Sequence, residues 1–151
     1  MEYDNIISGY VGSKSFLIKR YIDVLGKYIQ YFKFDYYVEP FFGGGGLGIY
    51  FLKNYNFRKY IFNDINRNVY NLYMSIELYY DELVRCLNIL SIDIEQLTRD
   101  VISGKVKLSE NEYVNNSLQL ICNNLIFRGI YRCCTENIFK QLINKYTNIK
   151  K

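Results

Sequence analysis

Val38-Glu39-Pro40-Phe41-Phe42-Gly43-Gly44-Gly45-Gly46 is the stretch whose reading decides the fold. A short apolar strand, Tyr36 to Val38, runs into it and ends in an acidic residue and a proline. The glycines that follow form a turn, and Leu47 to Leu52 then reads as the start of a helix. Glycine at a strand-to-helix turn lets a ligand approach the backbone closely, because no Cβ stands in the way. A glycine run taken alone is equally a flexible turn. A second strand, Tyr60 to Phe62, ends at Asp64, where nucleotide-binding α/β units set a carboxylate on ribose hydroxyls. Strand, Glu-Pro, glycines, helix, strand and Asn-Asp, in that order, predict an α/β fold.

Outward from this centre the pattern is helical. Ser13 is positioned to cap a helix from Lys14 to Phe32, in which Phe16, Leu17, Tyr21, Leu25 and Tyr28 recur at helical spacing. Asp64 or Asn66 is expected to cap a long helix, with an apolar stripe from Val69 to Tyr80 that continues to Leu87. A further helix is read from Ser91 to Ser103, and a capping box at Ser109 to Glu112 opens another from Glu110 to Phe127. Gly129 would end that helix, and a last one spans Glu136 to Lys145. Tyr3 to Ile7 and Gly104 to Leu108 are possible short extra strands.

Composition narrows the function. At 151 residues and 50% hydrophobic content the chain suits one domain with a substantial core. No apolar run approaches the roughly 20 residues of a membrane span, and Met1-Glu2-Tyr3-Asp4 is unlike a signal peptide. A soluble, cytoplasmic protein is expected. Cys86, Cys122, Cys133 and Cys134 lack paired C-x-x-C spacing, and the chain has no histidine, so reduced thiols are expected and no metal. The absence of histidine also removes Ser–His and Cys–His nucleophilic catalysis, and hydrolase readings lose most of their weight. The net charge is +4. Basic residues cluster in the first helix and again near the end, where Arg128 and Arg132 lie. Both groups read equally as solvated helix faces or as phosphate contacts.

The motif order, with Tyr10-Val11-Gly12-Ser13-Lys14 upstream, resembles the Dam-type DNA adenine N6-methyltransferases. That family opens with an aromatic-x-Gly-x-Lys box, then reads EPFxGxG, then N/A-D-I-N before a helix carrying N-L-Y. The counterparts here are Gly12 to Lys14, Glu39 to Gly45, Asn63-Asp64-Ile65-Asn66 and Asn71-Leu72-Tyr73. A weaker similarity runs from Leu118 to Asn137, through Asn124 to Arg132.

The resemblance implies a partial Rossmann-like methyltransferase fold with a short parallel sheet and a helix-rich C-terminal half. Residues 1–66 would be the cofactor-binding half of a single domain, and 67–151 would resemble the start of the target-recognition region. The implied cofactor is S-adenosylmethionine. Gly43 and Gly45 would lie against its amino-acid end, with Glu39, Pro40 and Phe41 organising the turn. Asp64 would take the ribose hydroxyls, and Ile65 would pack on the adenine face. Lys14, with Tyr10 and Gly12, would wall the methionine part. Each has a plainer role too: Asp64 as a helix cap, Lys14 as a solvated residue, Glu39 in a strand-end salt bridge. DNA is the implied partner, with Arg128 and Arg132 towards it.

The family's catalytic tetrapeptide, D-P-P-Y, holds the flipped adenine. This chain has one proline, Pro40, so no such tetrapeptide occurs in it. The expectation is therefore the donor half of the site without the acceptor half. It would be a truncated, split or degenerate enzyme, inactive by itself, pairing with a second subunit or another copy through an open sheet edge. The alternative is a binding-only regulatory or nucleotide-binding module.

Overall fold

The computed structural model describes Lys14 and residues 17–127, with side chains as far as Leu125. The expectations for Tyr3 to Ile7, Tyr10, Gly12, Ser13, Arg128, Gly129, Arg132 and the helix at 136–145 lie outside the described residues. The chain forms two compact units, residues 1–66 and 67–151.

In the first unit, α1 (Ile18–Phe32) precedes β1 (Tyr36–Glu39), and α2 (Gly46–Asn54) links it to β2 (Lys59–Phe62). The two strands are parallel, with Tyr36 opposite Lys59 and Glu39 opposite Phe62. Side chains alternate across such a sheet. Tyr37, Tyr60 and Phe62 turn towards α2, while Tyr36, Val38 and Ile61 are exposed. Ile18, Leu47 and Phe51 form the core, ringed by aromatics including Tyr37, Tyr55 and Phe57. The ring centroids of Tyr37 and Phe51 are 4.9 Å apart and tilted, a favoured aromatic geometry.

The first helix starts at Ile18, four residues later than the sequence pattern suggested. Lys14 instead closes a turn, its carbonyl accepting from the Leu17 amide, because its side chain is drawn to Glu39. At the far end Lys33 takes a left-handed conformation, φ 47°, that stops the helix.

The second unit is helical: α3 (Arg67–Leu78), α4 (Tyr80–Leu90), α5 (Ile94–Ile102) and α6 (Glu112–Phe127). The single helix expected from Asp64 or Asn66 to Leu87 is two, parted at Tyr79. Tyr79 leaves helical geometry (φ −129°, ψ 33°) and stacks on Tyr113, centroids 5.8 Å apart. Asp81 and Glu82 then fall in a new first turn, where their charge favours a helix start. Likewise α5 starts at Ile94 rather than Ser91, because Asp93 caps it by accepting from the Gln96 amide at 3.1 Å.

Asn111, and not Ser109, caps α6, accepting from the Tyr113 amide at 2.9 Å. Ser109 is buried and committed elsewhere, donating to Glu82 and accepting from the Asn111 amide. Gly104 to Leu108 is a loop, not a strand. Val69, Leu72, Leu83, Leu87, Leu90, Val114 and Leu118 fill this unit's core. Among them Ser75 and Ser117 meet, hydroxyls 2.9 Å apart. Ser117 gives its proton to the Tyr113 carbonyl, so Ser75 is the donor and both buried hydroxyls are satisfied.

The fold is thus mixed and helix-rich with a short two-stranded parallel sheet. Among the described residues neither strand has a further neighbour. No described helix is long and apolar enough to cross a membrane.

Candidate functional site

Parallel register is what assembles the site. With Glu39 opposite Phe62, the segments that follow the two strands, Pro40 to Gly45 and Asn63 to Asn66, leave the sheet side by side. The ladder continues past the strands. The Asn63 amide donates to the Glu39 carbonyl at 3.0 Å, and the Phe42 amide donates to the Asn63 carbonyl at 2.9 Å. Motifs far apart in sequence become one surface.

Two polar latches hold the glycine turn. In the first, Asp64 accepts the Gly43 amide on one carboxylate oxygen at 2.7 Å and the Asn66 amide on the other at 2.9 Å. A carboxylate offers about four acceptor positions, so capacity remains for further donors. In the second, Glu39 is buried and accepts the Lys14 ammonium at 2.7 Å and the Tyr37 hydroxyl at 3.0 Å. The ammonium also donates to the Phe41 carbonyl, so Lys14 ties the strand end to the start of the turn. A buried carboxylate is costly unless paired and hydrogen-bonded, and Glu39 is both. Burial raises the Tyr37 hydroxyl pKa above its ordinary value, and the Glu39 charge and hydrogen bond add to the rise.

Gly43 (φ 53°) and Gly45 (φ 74°) adopt left-handed conformations that suit glycine. Gly45 is also the N-cap of α2, whose first turn carries no acidic residue. The Glu39 carboxylate lies against this first turn, at Gly48, and supplies the negative charge that the positive end of the helix favours. Phe42 turns inward and stacks on Phe62, centroids 4.1 Å apart. The neighbours Phe41 and Ile65 turn out, 73% and 95% exposed, flanking the Asp64 segment with apolar surface.

Of the sequence-derived candidates, Lys14, Glu39, Pro40, Phe41, Gly43, Gly45, Asp64 and Ile65 lie on these two adjoining segments or, for Lys14, bond to them. Sequence reasoning missed Gly48 and Tyr37. A Cβ on Gly48 would lie 2.4 Å from the Phe42 ring, 2.7 Å from the Glu39 carboxylate and 2.8 Å from the Phe62 ring. Gly48 therefore makes room for the buried carboxylate and the ring stack together. Its position outside the glycine run gave no signal. Tyr37 carried a weak one, as an aromatic two residues before Glu39 on the same strand face. Among the described residues no cluster of His, Cys, Asp or Glu could hold a metal.

Asp64 could take hydroxyl donors of an extended ligand, and Phe41 and Ile65 offer it exposed apolar surface. A family model described as D12 class N6 adenine-specific DNA methyltransferase matches residues 10–151. The type II methyltransferase M.MjaIII of Methanocaldococcus jannaschii is 25% identical over 151 residues, covering 93% of this chain and 52% of that protein. The chain therefore spans about half the length of this curated relative. No solved structure matches it.

Proposed function

The chain belongs to the D12 class N6 adenine-specific DNA methyltransferases, and from that membership we propose that it is the S-adenosylmethionine-binding part of such an enzyme. The observation that carries this reading is the Asp64 latch. One carboxylate fixes the glycine turn through the Gly43 amide and keeps acceptor capacity for further donors. Residues 1–66 are the cofactor-binding half in this proposal, and 67–151 begin target recognition, with Arg128 and Arg132 as phosphate contacts.

When bound, the cofactor supplies an electrophilic methyl group on sulfur. The chain's own residues bind and orient. Asp64 accepts the ribose hydroxyls, charge-assisted hydrogen bonds that also fix the ligand's direction. Gly43 and Gly45 bring backbone against the amino-acid end, and Ile65 covers the adenine. Lys14 and Glu39 hold the turn rigid, so the ligand meets a preformed wall. Positioning of this kind is the main contribution a protein makes to an in-line transfer. The residues that accept the adenine lie outside residues 1–151 in this reading, and strand pairing along the exposed edge of β1 would bring them alongside.

Titration calorimetry with S-adenosylmethionine and its demethylated product tests the proposal. Both should bind, and NAD and ATP should not. Asp64→Ala should weaken binding by roughly 1.5–3 kcal/mol, the worth of hydrogen bonds to a charged group. No heat at millimolar ligand, or an Asp64→Ala chain that binds like the parent, sinks it.

A further inference from the structure

The first unit carries a second surface that the glycine turn does not use. It lies at the opposite ends of the strands, where Lys33 to Asp35 enter β1 and Tyr55 to Arg58 enter β2. These segments border a cavity of about 610 Å3 whose lining includes Lys33, Phe34, Tyr55, Phe57 and Arg58. That volume suits a nucleotide-sized group. Asp35 is the one carboxylate in the lining, against two cations. Among the described residues neither Lys33 nor Arg58 makes an ion pair.

Beside the cavity, the last turns of α1 present a run of exposed rings. Tyr28 and Phe32 lie parallel with centroids 6.3 Å apart, Tyr31 meets Phe32 edge-on at 4.9 Å, and Phe34 is 6.0 Å beyond. Tyr31 is 81% exposed, and Tyr28, Phe32 and Phe34 are each exposed by half or more. Contiguous exposed apolar surface of this kind marks an interaction site. A purely apolar partner would leave Lys33 and Arg58 buried and unpaired, which is costly. Rings that offer stacking faces, next to two cations that make no ion pair among the described residues, match a strand with unpaired bases and a phosphate backbone.

We propose that this surface binds single-stranded DNA, with bases stacked on Tyr31 and Phe34 and the phosphate backbone held by Lys33 and Arg58 at the cavity. The charge complementarity selects a polyanion, and the open rings select one whose bases are free, since paired bases do not offer their faces. Membership of a DNA-acting family selects DNA over RNA. The assignment is independent of the cofactor reading, because none of these residues belongs to the turn or its latches.

Fluorescence anisotropy with labelled dT20, its duplex and rU20 across a salt series tests it on the full chain. The parent should bind dT20 more tightly than rU20, and any duplex binding that residues 67–151 supply should survive in the ring variants. Tyr31→Ala with Phe34→Ala should weaken dT20 binding by tenfold or more. Lys33→Glu with Arg58→Glu should weaken it similarly and flatten the slope of log affinity against log salt by about 1.4, the loss of two phosphate contacts. All four side chains are at the surface, so unchanged melting confirms that the variants fold. Three results would overturn the proposal: no dT20 binding by the parent at low salt, ring variants that bind dT20 normally, or rU20 bound as tightly as dT20.

Discussion

The two units of this chain are held together by different physics. The first is built on rings and a few charged hydrogen bonds: Phe51 among Tyr37, Tyr55 and Phe57, Phe42 on Phe62, Glu39 between Lys14 and Tyr37. The second is built on aliphatic packing, with Leu72, Leu83, Leu90, Val114 and Leu118 all fully buried. A leucine core is non-directional, and its stability scales with the area it removes from water. The ring-and-latch arrangement also fixes directions, and direction is what a ligand site requires. The same chain thus separates holding from aiming. Substitutions in the second unit should cost stability, and those in the first should cost binding.

The largest expected effect tests the packing side. Leu118→Ala removes a fully buried side chain from α6, and a change of this kind costs about 2–5 kcal/mol. Chemical denaturation should show a lowered midpoint with little change in slope, the shift multiplied by the slope giving that loss. A loss below about 1 kcal/mol would mean that this core is loosely packed, and the contrast would collapse.

Gly48→Ala should come next. Its added methyl meets two rings and the Glu39 carboxylate inside 3 Å, and overpacking of this size costs about 1–3 kcal/mol. Unlike Leu118→Ala, it should also weaken S-adenosylmethionine binding at temperatures where the chain is fully folded, because the displaced carboxylate carries Lys14 and the turn with it. Calorimetry on both variants sharpens the comparison. If Gly48→Ala costs stability alone, the latch is structural and does not aim the turn.

Much of this division is legible in the amino-acid sequence alone. The strand–glycine–helix–strand order and Asp64 mark the candidate site, because the order of these pieces is far more specific than a glycine run or a capping carboxylate alone. The apolar stripes place the helices, because period 3.6 survives in sequence. What stays hidden is tertiary. Tyr79 breaks a helix whose local pattern is unbroken, since its reason for doing so is Tyr113, far along the chain. Lys14 is kept out of α1 by Glu39, and Ser109 gives up capping for Glu82. Gly48 reads as a poor helix residue until the carboxylate and rings around it are seen. In each case a long-range partner overrides a local signal, and periodicity carries no record of that partner.

The smallest predicted effect is a pH dependence that separates the units once more. In the second unit Cys122 is buried in α6, and burial pushes its thiol up to about 12, with the Thr98 hydroxyl opposing part of the rise. Burial raises Cys86 as well, with Arg85 opposing and Glu82 adding. A thiol is neutral when protonated, so a folded-state value above the unfolded 9.0 means that the native chain keeps its proton longer. Stability is then fully present below about pH 9 and is lost as pH climbs towards 12. Tyr37 in the first unit has the same sign, but its loss starts only above its ordinary 10.0. Between about pH 8.5 and 10 the decline should therefore come from the thiols of the second unit. Urea midpoints across that range should fall in the parent and stay nearly level in a Cys86→Ala, Cys122→Ala chain, whose baseline stability is lower. A slope that persists without the two thiols would locate the titration in the ring-built unit and reverse the assignment.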